Sequence, residues 1–82
     1  MIHVHVKLFT VLRENLGKEA FDLELPDGST CAAVLSRLEK ESAKMRPILK
    51  RSFLAINGIY ADQNAFLSSG DELAVLPPVS GG

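Results

Sequence analysis

The chain opens with a strict alternation, Ile2, Val4, Val6 and Leu8 set against His3, His5 and Lys7. A period of two puts one set on each face of a strand, so residues 2–8 are predicted to form a half-buried strand. The next stretch, FTVLRENLG, has room for about two helical turns, and Gly17 suits the stop because glycine accepts positive φ. Alternation resumes in AFDLEL, where Phe21, Leu23 and Leu25 share a face and predict a second strand. PDGST supplies a turn and an N-cap in Ser29 or Thr30. After it, Cys31, Val34, Leu35 and Leu38 recur at the three-to-four spacing of one helical face, which predicts the main helix over about residues 31–43. Pro47 removes a donor and crowds the preceding turn, so KMRPILKR is predicted to be a break with a short irregular segment. FLAINGIYA reads as two short strands around Asn57 and Gly58, a dipeptide suited to the two positive φ values of a tight hairpin. A turn at Gly70 precedes a last strand over residues 72–76, which the two prolines end.

The order strand, strand, helix, then several short strands predicts an α+β fold in which a mixed sheet buries its apolar face against the one long amphipathic helix. A hairpin followed by a crossing helix commonly returns the last strand beside the first, so 72–76 is expected to pair with 2–8. With Val4, Val6, Leu73 and Val75 turned to the helix, parity puts Phe9 and Leu76 on the outer face near the root of the tail, joined there by Tyr60 of the hairpin. An exposed apolar patch at that place suggests a docking surface.

Composition narrows the function classes. At 82 residues, with roughly 60% of the unfolded surface buried, there is room for one modest core. The sequence shows no repeat, linker or low-complexity segment, so residues 1–76 are expected to form one domain and 77–82 an extended tail. A formal net charge of −1 gives no electrostatic reason to expect nucleic acid or an acidic membrane as partner. A protein or a small molecule fits better. The single cysteine, Cys31, excludes an intramolecular disulfide, and the absence of a basic N-terminal region before an apolar run points to a soluble, unexported, cytoplasmic protein.

Most candidate chemistry in the body has a plainer explanation. His3 and His5 share a strand face but have no evident third ligand, so no metal site is expected. Cys31 lies at the start of the helix on its apolar side, with no base marked for it, and reads as a small buried hydrophobe. Opposite charges in RLEKESAK fit a solvated helix face. Asp62, Asp71 and Glu72 lie where turns attract acidic residues.

The ending LPPVSGG is different, even allowing that chain termini are often disordered and rich in glycine. Pro77 and Pro78 fix φ and remove two donors, which ends sheet pairing and projects the chain outward. Val79 and Ser80 act as spacer, and Gly81 and Gly82, without Cβ atoms, could enter a channel too narrow for other residues. At roughly 3.1 to 3.4 Å per residue the stretch from Pro77 to Gly82 reaches about 20 Å. The group so delivered is the Gly82 carboxylate. A free carboxylate is a poor electrophile, since attack would expel oxide. Adenylation by ATP supplies a leaving group, after which a persulfide sulfur leaves a thiocarboxylate and a lysine amine an isopeptide bond.

Taken together, the opening strand leading to LRENLG, the DGST helix entry, AINGIYA and GDELAVLPPVSGG make the whole chain resemble the ubiquitin-like sulfur carriers of the MoaD/ThiS family. A terminal Gly-Gly is shared with ubiquitin and with thiazole-forming carriers; GDE, a short apolar strand and PPVSGG resemble more specifically the molybdopterin members. The resemblance implies a β-grasp fold and a carrier role in molybdenum cofactor biosynthesis. It implies that an E1-like adenylating enzyme uses ATP to adenylate Gly82 and that a sulfurtransferase system converts it to a thiocarboxylate. It implies tail insertion, through Pro77, Pro78, Val79, Ser80 and Gly81, into the large subunit of molybdopterin synthase, where the sulfur goes to cyclic pyranopterin monophosphate to build the dithiolene. The family assembly is a heterotetramer, two small subunits on a dimer of large ones that carry the catalytic side chains. This chain would be a non-catalytic sulfur donor that binds no cofactor of its own. The family's docking surface matches Phe9, Tyr60 and Leu76. The alternatives are a ubiquitin-like protein modifier, or a sulfur carrier for thiazole, tRNA thiolation or the tungsten cofactor.

Overall fold

The computed structural model describes residues 1–78. Strand β1, Ile2–Leu8, pairs antiparallel with β2, Ala20–Leu25, in a register that sets Val4 opposite Leu23 and Val6 opposite Phe21. The intervening helix α1, Thr10–Leu16, ends where Gly17 takes φ 79 and its N–H donates to the Arg13 carbonyl at 2.9 Å. Helix α2, Cys31–Glu41, crosses the sheet with Cys31, Val34 and Leu38 fully buried. Strands β3, Phe53–Ile56, and β4, Ile59–Ala61, form a hairpin in which Asn57 and Gly58 take φ 51 and 84, the paired positive values its two-residue turn requires.

The final strand β5, Glu72–Leu76, runs parallel to β1 and antiparallel to β3, giving the order β2-β1-β5-β3-β4. This is the mixed sheet and crossing helix expected of a β-grasp fold. Val4, Val6, Leu8, Leu73 and Val75 on its inner face are almost completely buried, together with Leu12, Leu38, Met45 and Leu67. No polar or charged side chain is buried among the described residues, so apolar area removed from water carries the cohesion of the core. None of the helices among the described residues is long and apolar enough to cross a membrane.

Two local expectations change. Residues 43–51 are helical rather than irregular: the main helix ends at Glu41, and a 3₁₀ turn, Ala43–Met45, leads into a third helix, α3, Arg46–Arg51, with Pro47 in its first turn. A proline there forfeits no hydrogen bond, because the first-turn N–H groups have no intrahelical acceptor. At the start of α2, Thr30 occupies the cap position, but no side chain caps the helix. The first amides are satisfied by the loop that packs across them: Cys31 N–H donates to the Ala65 carbonyl at 3.0 Å and Ala32 N–H to the Gln63 carbonyl at 2.9 Å. The Ser29 hydroxyl instead donates to the Pro26 carbonyl at 2.7 Å.

Candidate functional site: the outer sheet face and the root of the tail

With the inner face buried against α2, alternation turns every second residue outward, and the pairing registers say which of them are neighbours. One cross-strand row runs Lys7, Ala74, Ala55, Tyr60. In the next, Phe53 stands opposite Leu76. Phe9 follows Leu8, which is in register with Val75, and keeps extended backbone at φ −124, ψ 151. Phe9 and Tyr60 therefore stand at the two ends of a strip whose middle is Leu76, Phe53 and the two alanines. Tyr60 meets Phe53 edge to face, ring centroids 6.3 Å apart. The exposure is large for apolar side chains: 38% for Phe9, 59% for Phe53 and 76% for Tyr60.

Phe53 is the residue that sequence reading missed. Its parity with Ala55 was available, but without the strand order nothing tied it to Leu76. Another local feature shapes the Phe9 end: Thr10 takes φ 48, a left-handed conformation that a β-branched residue seldom adopts. The turn it makes lets α1 leave the sheet directly after Phe9, and Leu12 N–H donates back to the Phe9 carbonyl at 3.1 Å.

The other half of the outer face is polar. His5 Nδ1 and Asp22 Oδ1 lie 2.7 Å apart on neighbouring strands, and Lys7 Nζ is 3.6 Å from Glu72 Oε1. A shallow depression of about 250 Å³ beside Phe9 is lined partly by Lys7 and Arg13. The face is thus an apolar strip flanked by exposed charge, the pattern of a protein-docking surface with a polar rim.

The remaining candidates have structural duties. Asp71 accepts from Asn57 Nδ2 at 3.0 Å and from Ser68 N–H at 2.8 Å, tying the β3–β4 turn to the loop before β5. Asp62 accepts from Asn64 N–H at 2.8 Å and closes its own turn. Burial pushes the Cys31 thiol above its ordinary value, and the charge of Asp62 pushes it the same way. A thiol so placed is a poor nucleophile. Among the described residues no three His, Cys, Asp or Glu side chains converge as metal ligands.

At the root of the tail, Leu76 is half-buried in the strip, Pro77 follows it half-buried, and Pro78 is exposed. Val79, Ser80, Gly81 and Gly82, assigned above to spacer, slim approach and reacting group, lie outside the described residues.

The family model described as the ThiS family matches residues 6–82. A molybdopterin synthase sulfur carrier subunit from Dictyostelium discoideum is 36% identical over 80 residues, 94% of this chain and 93% of the relative. Two solved structures are similar over nearly the whole chain. The small archaeal modifier protein 1 from Methanosarcina acetivorans aligns with TM-score 0.84 and 28% identity, over 100% of this chain and 98% of that one. A chain from the protein-protein complex of subunits 1 and 2 of the molybdopterin-converting factor from Helicobacter pylori aligns with TM-score 0.66 and 27% identity, over 99% and 100%.

Proposed function

Since the chain belongs to the ThiS family, we propose that it is the sulfur carrier subunit of molybdopterin synthase, with the carboxylate of Gly82 as the group that is activated and carries sulfur. The observation that carries this reading is a match along almost the whole chain to relatives named for that role. The fold adds a geometric reason. Leu76, last residue of β5, stands in register with Phe53 in the exposed apolar strip, and Pro77 follows at once. A partner that covers the strip therefore sits over the root of the tail.

In the proposed cycle an E1-like adenylating enzyme joins the Gly82 carboxylate to AMP and releases pyrophosphate. A persulfide of the sulfurtransferase system attacks the acyl carbon, and AMP departs. A second thiol then cleaves the S–S bond, leaving the thiocarboxylate and a disulfide. The large subunit of molybdopterin synthase receives the tail, and each sulfur passes to cyclic pyranopterin monophosphate. The dithiolene needs two such deliveries, in keeping with a heterotetramer of two small and two large subunits. ATP is consumed by the activating enzyme, and this chain supplies surface, reach and the acyl group.

Intact-mass measurement after incubation with the activating enzyme, ATP and a sulfur donor tests the proposal. The expected product has one oxygen replaced by one sulfur, and it converts the pterin precursor once the large subunit is added. The likeness to the small archaeal modifier favours a second reading, conjugation through Gly82 to lysine amines; high-mass adducts with no sulfur exchange would establish that one instead. A variant with one residue added after Gly82 is expected to fold normally and to escape activation. Thiocarboxylation of that variant would refute the tail mechanism.

A further inference from the structure

An open groove of about 990 Å³ lies around the edge of the sheet from the apolar strip, between α2 and the α3–β3 junction. On the α2 side it is lined by Ala32, Leu35, Ser36 and Glu39. These are positions i, i+3, i+4 and i+7, a helix stripe that borders the core face of Cys31, Val34 and Leu38, with Leu35 half-buried against that core where the two meet. Leu49 and Leu54 of the opposite wall are buried residues of the core, so the groove reaches down to the core itself. Ala32 and Ser36 are the small members of the stripe, and their size leaves the space that a leucine at either position would occupy.

What connects this groove to function is its lip. Phe53 and Tyr60 line the groove and are also the two most exposed rings of the outer strip. A protein that covers Leu76 and Phe53 contacts those rings and stands at the mouth of the groove, so the strip continues as one band around the β3–β4 hairpin into a groove where Leu35, Leu49 and Leu54 are interleaved with Glu39, Lys50 and Asp62. A band of that extent marks an interaction site rather than scattered surface apolarity. An open trough holds a free small molecule poorly, because such ligands bind where most of their surface is enclosed. A side chain already delivered by a bound protein has no such need.

We propose that this groove is a second foothold for the large subunit of molybdopterin synthase, taking one large apolar side chain from that protein while the outer strip takes the main contact. The inference rests on the function proposed above. Interfaces concentrate their affinity in a few side chains seated in pockets ringed by contacts that exclude water, and Phe53 and Tyr60 form such a ring on one side.

Two substitutions on α2 block the groove without touching the strip. Ser36 is exposed, so Ser36→Arg places a long side chain across the mouth at no cost to the core, and Ala32→Leu fills the floor without adding charge. Calorimetric titration against the large subunit is expected to show each variant binding about tenfold more weakly or worse, with Ser36→Ala binding as wild type and circular dichroism unchanged. Thiocarboxylation by the activating enzyme is expected to persist. If Ser36→Arg and Ala32→Leu bind as wild type while Phe53→Ala weakens the complex, the foothold is overturned and the carrier function stands. If the wild-type chain does not bind the large subunit at all, both are overturned.

Discussion

Truncating Phe53 to alanine is expected to cost more in partner binding than in folding, and the difference can be worked from its exposure. The residue is 59% exposed. With about 200 Å² for a fully exposed phenylalanine side chain, roughly 120 Å² remains open for a partner to cover and about 80 Å² is already covered. At about 25 cal/mol per Å², the open part contributes up to about 3 kcal/mol in the complex, roughly a hundredfold in affinity. The covered part sets an upper limit of about 2 kcal/mol on folding, and because alanine keeps the Cβ and the denatured chain is already compact, the loss should be nearer about 1 kcal/mol. The paired assays are calorimetric titration of the large subunit and urea unfolding of the isolated chain. A hundredfold rise in Kd with a small drop in unfolding free energy supports docking through Phe53. A Kd within about threefold of wild type, with the folding loss still present, would show that the ring packs against Tyr60 for structural reasons and that the partner sits elsewhere.

Two further outcomes follow from the backbone and the core. Thr10→Gly is expected to be neutral or stabilising by up to about 1 kcal/mol in urea unfolding, against the usual sign for glycine in a helix, because Thr10 holds φ 48 and glycine does so without strain; a clear destabilisation would mean that the Thr10 side chain makes up for its backbone. The Cys31 thiol, raised by burial and then by Asp62, should react with a thiol reagent at neutral pH only after urea unfolds the chain. Because its folded value lies above its unfolded one, it contributes stability that is fully present below the ordinary thiol range and lost as pH rises through the folded value. Unfolding free energy that stays level across the alkaline range in wild type, relative to Cys31→Ala, would contradict that assignment.

The parts of the fold legible in sequence were those with a short period. Ile2, Val4, Val6 and Leu8 announce β1 and its face, and Asn57 with Gly58 announces the hairpin, because both signals are complete within a few residues. Residues 43–51 were less legible because the same proline that breaks a helix interior is welcome in a first turn, and only the end of α2 at Glu41 decides which it is. The α2 cap was illegible for a related reason: its amides are satisfied by the carbonyls of Gln63 and Ala65, more than thirty positions away in the chain. Phe53 belongs to the same class, since its place beside Leu76 depends on β5 lying between β1 and β3.

That strand order also bears on the delivery proposed for the tail. Were β5 an edge strand, the tail would leave from the rim of the sheet and a partner could cover the strip without meeting it. Instead β5 is central, flanked by β1 on one side and β3 on the other, and Leu76 is its last residue. Strands β1 and β3 flank β5 as far as Val75, and Phe53 of β3 pairs with Leu76 itself, so the end of β5 is held in direction, and Pro77 and Pro78 carry that direction past the last ladder bond by fixing φ and offering no donor. Under the proposed function, docking and tail presentation are then one event, because the apolar strip offered to a partner surrounds the point where the tail begins. A fold with so small a core suits the proposed carrier role because the two faces of one sheet do separate work, the inner face holding the chain together and the outer face offering an apolar strip around the root of the tail.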